Sequence, residues 1–70
     1  MTTGFTVKIG SLADLEYAIV VRPSDGAEIC TAERKPGTKH WRNVEFARAE
    51  YMTSNPTRQA AMRTLQATER

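Results

Sequence analysis

The chain has 70 residues, a formal charge of +2 and a pI near 9.0, with one cysteine and one histidine. This allows one small domain with one core, spanning residues 1–70. It excludes an internal disulfide and a four-ligand zinc site, and the mild positive charge falls short of a protein that coats nucleic acid.

Met1–Gly4 reads as a loose tail, and so do residues 68–70. The start, MTTGFTVKIG, carries neither a basic leader nor a long apolar run, so no signal peptide is expected. Phe5-Thr6-Val7-Lys8-Ile9 alternates apolar and polar residues and predicts a half-buried strand that Gly10 ends. Ser11–Leu15 predicts one helical turn, with Ser11 as N-cap and Asp14 three residues on. Glu16–Arg22 is rich in β-branched and aromatic residues and predicts a second strand. Pro23-Ser24-Asp25-Gly26 is the clearest turn in the chain, and Ala27–Arg34 returns from it as a hairpin.

The hairpin admits two registers. A four-residue loop sets Arg22 opposite Ala27 and Glu16 opposite Glu33; Pro23 at the first corner favours it. A three-residue loop sets Arg22 opposite Glu28 and Glu16 opposite Arg34, and the facing opposite charges favour that one.

Lys35–Lys39 is a loop around Pro36-Gly37. Beyond it Trp41, Val44, Ala47 and Tyr51 fall at helical spacing, with Asn43 available as a cap. Val44-Glu45-Phe46 can also be read as a short strand. Asn55 as N-cap and Pro56 at the first helical position open a last helix running to about Thr68, with Ala61, Met62 and Leu65 as its apolar stripe. The expected fold is α+β: a small antiparallel three-stranded sheet with a β-hairpin, covered by one or two short C-terminal helices.

The catalytic inventory is thin. Glu28 and Glu33, five apart on one strand, are expected on opposite faces and therefore not as a working pair. Glu45 and Arg48 read as a helical i,i+3 ion pair. His40 and Cys30 have no spacing that suggests a nucleophile and its base, and no glycine-rich phosphate loop or metal-binding motif occurs. The chain is therefore expected to be no enzyme and to need no cofactor and no metal.

Binding is the better expectation. Phe5, Val7 and Lys8 lie on an edge strand to which a partner can add, and Trp41 with Arg42 supplies side chains typical of interface anchors. The alternative is direct DNA or RNA binding, with Arg34, Lys35, Lys39, His40 and Arg42 meeting phosphates and Trp41 stacking on a base. Against both stands a plain reading: Trp41 closes the core at the sheet corner, and the cations are solvated. The last helix, with Arg58 and Arg63, reads as a core-packing element rather than a recognition helix.

In its 70 residues, lone cysteine and missing active site the chain resembles the small bacteriophage-type host-takeover proteins that bind host machinery such as RNA polymerase. That resemblance implies a cytoplasmic module acting on a protein or nucleoprotein complex, without assigning roles to particular residues. The single cysteine likewise fits a reducing compartment.

Overall fold

The computed structural model describes residues 4–53 and 55–68. Four strands, β1 (Thr6–Leu12), β2 (Leu15–Arg22), β3 (Ala27–Arg34) and β4 (Arg42–Phe46), are followed by a 3-10 turn (Ala49–Met52) and one helix, α1 (Pro56–Ala67). The strands form one antiparallel sheet in the order β1-β2-β3-β4. The fold is α+β as expected, with one strand more than the sequence suggested.

The fourth strand occupies part of the segment expected to be a helix. Val44 and Phe46 pack on the core while Glu45 between them is exposed, so a period of two overrides the helical spacing. Asn43 does not cap a helix. It sits at φ 54°, where the pairing of β3 with β4 shifts by a residue; asparagine is among the few side chains that accept this conformation. Arg48 pairs with Glu50 at 3.2 Å, and Glu45 stands in β4 opposite Thr31, so the expected Glu45–Arg48 helical pair does not form.

Two further corrections concern the first hairpin. Gly10 does not end β1, because Tyr17 lies across from it and its ring fills the space a Cβ at position 10 would need. Ser11–Leu15 is no helical turn. The strands run on until Leu12 faces Leu15, and Ala13-Asp14 joins them as a two-residue turn with Ala13 at φ 56°.

The second hairpin uses both registers. At its turn Arg22 faces Ala27, with Gly26 at φ 72° donating its N–H to the Arg22 carbonyl. At its far end Glu16 faces Arg34. A β-bulge reconciles the two: Val20 faces Cys30, Val21 faces Glu28, and Ile29 is the extra residue between.

The sheet therefore has unlike faces. One carries Ala18, Val20, Ile29, Cys30 and Ala32 beneath Ala61 and Leu65 of α1 and Tyr51 of the 3-10 turn. Small residues where strands and helix meet let the helix approach closely, and Ile29 and Leu65 are the largest fully buried side chains. α1 starts as the sequence predicts: the Asn55 side chain accepts the Arg58 N–H at 2.9 Å, with Pro56 in the first turn. The expected tails at 1–4 and 68–70 fall mostly outside the described residues. No helix among the described residues is long and apolar enough to cross a membrane.

Candidate functional site

The sheet order sends the expected contact residues to opposite ends of the molecule. Phe5, Val7 and Lys8 lie at the β1 edge; Trp41 and Arg42 lie at the β4 edge. They do not form one surface.

At the β4 edge Arg34 and Trp41 turn inward while the rest of the basic loop stays at the surface. Arg34 Nε donates to Glu16 Oε1 at 2.7 Å, and its guanidinium lies 4.2 Å from the centre of the Trp41 ring. Trp41 is half-buried and packs against the core, which leaves its ring face occupied by Arg34. Lys35, Lys39, His40 and Arg42 remain on the surface, and Arg42 stands opposite Glu33. The nucleic-acid arrangement thus keeps its exposed cations and loses the free aromatic face and Arg34.

At the β1 edge Phe5 and Val7 are half-buried and pack against the core, so they support the edge from within. Lys8 is exposed. The apolar side chains that reach solvent are others: Ile9 and Leu12 on β1, and Leu15 and Tyr17 on β2, with Leu12 73% exposed. All four belong to the β1–β2 hairpin at the end away from Phe5. The alternation of Phe5, Val7 and Ile9 points Ile9 at the core, and a strand ending at Gly10 leaves Leu12 outside it, so the sequence hides this patch. Leu12, Leu15 and Tyr17 lie on the face that α1 does not cover, and the signal for them was the count of elements: one short helix cannot cover both faces of a sheet.

Edge quality separates the two ends. β1 pairs with β2 over all seven residues without a bulge, and its other side has no strand beside it among the described residues. β4 has five residues and an irregular register at Asn43. Bulges and short length protect an edge from further pairing, whereas a long regular edge bearing exposed apolar groups invites it.

The uncovered face of the sheet holds a second grouping. The bulge at Ile29 changes the alternation along β3, so Glu28 (opposite Val21) and Glu33 (opposite Tyr17) share that face instead of lying on opposite faces. Glu45, opposite Thr31, joins them. All three are exposed, and Glu33 Oε1 accepts from Asn43 Nδ2 at 3.4 Å. Cys30 is buried on the other face, and burial pushes its thiol up, away from reactivity.

Near the start of β1 a groove of about 600 Å³ runs between Gly4-Phe5, the Arg22–Ser24 corner and the flank of α1. Arg22 on its rim is held by Asp25 through Nε (3.1 Å) and Nη2 (3.0 Å). This pairing and the Ala27 N–H keep the Asp25 carboxyl below its ordinary range. Arg63 and Ala60 line the helix side. No protein-family model, curated protein or solved structure matches this chain.

Proposed function

We propose that the chain is a non-catalytic binding module that takes an extended segment of a partner protein as a fifth strand beside β1. The observation that carries this reading is the β1 edge: seven residues, no bulge, one side with no strand beside it among the described residues, and Ile9 and Leu12 exposed along it. Strand addition draws affinity from backbone hydrogen bonds, which need no catalytic side chains and no cofactor. The partner is a protein or nucleoprotein complex of the cytoplasm, with bacterial RNA polymerase the first to assay on the resemblance in size and inventory.

The test is binding of purified RNA polymerase, and of proteins captured from bacterial lysate with and without nuclease, to the wild type and to the Ile9→Lys/Leu12→Lys double variant. Both positions are exposed, so the variant is expected to fold, and lysines on an edge oppose pairing. Loss of binding together with new amide-exchange protection along Thr6–Leu12 in the wild-type complex is the expected result. A folded double variant that binds as well as the wild type overturns the reading.

A further inference from the structure

The groove beside Phe5 extends the proposed β1 site and points to the chemistry of the segment that would occupy it. Gly4 and Phe5, its sheet-side wall, lead directly into the first residue of β1. A strand added antiparallel to β1 runs from the Leu12 end towards Thr6, so its C-terminal residues emerge at this groove. The lining is mainly apolar: Phe5, Pro23, Pro56 and Ala60 offer carbon surface for one side chain. Two cations stand there. Arg22 is already neutralised by Asp25, but Arg63 is exposed and makes no ion pair among the described residues. Among the described residues the lining holds no carboxylate, so the guanidinium of Arg63 is the uncompensated charge these residues present to the groove.

Resting on the strand-addition reading, we infer that the partner segment ends in an apolar side chain that enters the groove, followed by a carboxylate that meets Arg63. The backbone along β1 would then supply affinity without regard to sequence, and the groove would choose among extended segments. The carboxylate can belong to an Asp or Glu side chain or to a chain terminus; the chemistry at Arg63 is the same.

A random peptide library displayed on phage and selected on the folded chain tests this. Enriched sequences are then synthesised with free and with amidated C-termini. The expected result is enrichment of an apolar residue followed by an acid or by the terminus, and weakening of about tenfold by Arg63→Glu, with Arg63→Lys retaining most of the affinity. Amidation abolishes the effect only where the terminus is the source. Amide shifts should appear both along Thr6–Leu12 and at Ala60–Thr64. Peptides that perturb β1 but show no acidic preference and ignore Arg63→Glu overturn the groove inference and leave strand addition standing. Selection that yields no peptide perturbing β1 overturns both.

Discussion

The two edges of this sheet differ in length and regularity and treat the solvent differently. β1 is regular and supported from beneath by Phe5 and Val7. β4 is short, bent at Asn43 and flanked by a Trp41–Arg34 stack whose guanidinium is tied back to Glu16. The aromatic and the cation most suggestive of recognition thus hold the molecule together. The plainer strand is left available. In a domain this small, a conspicuous side chain is a poor guide to function when the core has first claim on it.

The sharpest way to break the β4 side is Trp41→Ala. Loss of a large, half-buried ring and its stack with Arg34 should cost about 3 kcal/mol in urea denaturation. Trp41→Phe should recover most of that, because the buried indole Nε1 has no hydrogen-bond partner among the described residues. If Trp41 instead served recognition alone, both variants would retain wild-type stability.

Next in size is the bend itself. Asn43→Val forces a β-branched residue to φ 54° and should cost about 1–2 kcal/mol, while Asn43→Gly should stay within about 0.5 kcal/mol of wild type. Equal stability for the two would mean that the backbone there is free to relax. On the β1 side, Gly10→Ala displaces the Tyr17 ring from its seat and should cost about 1 kcal/mol, with the loss read by thermal unfolding and the ring movement by its NMR shifts.

The smallest effect is electrostatic. The folded Asp25 carboxyl is held below its unfolded value, so its contribution is in place above the ordinary carboxylate range and disappears as pH falls through the folded value. The stability difference between wild type and Asp25→Asn should accordingly be flat near neutrality and should vanish in acid. A difference that grows on acidification would contradict the pairing.

Local chemistry made much of the fold readable. Pro23–Gly26 and Asn55-Pro56 each fix their own backbone, and the elements around them formed where the sequence placed them. The missed features depend on more distant partners. Ala13 carries no turn chemistry, and its positive φ follows from the pairing of Leu12 with Leu15. Val44–Phe46 could be read from the sequence as helix or as strand, because Val44, Ala47 and Tyr51 also fit a helix by spacing, and the open side of β3 decides for the strand. Of the expected contact residues, Lys8 and Arg42 reach solvent, whereas Phe5, Val7 and Trp41 pack inward because few other large apolar groups are available to fill the core.

Ile29 is a residue the strand pairing could do without. Remove it, and Val20 would still meet Cys30 and Val21 would still meet Glu28. Yet its side chain is, with that of Leu65, one of the bulkiest wholly inside among the described residues, and its carbonyl accepts the Ala47 N–H at 3.0 Å where the chain leaves β4. One surplus link in the ladder thus serves as both plug and tether, so a single-codon deletion here would keep the pattern of the sheet while emptying its middle and loosening its corner.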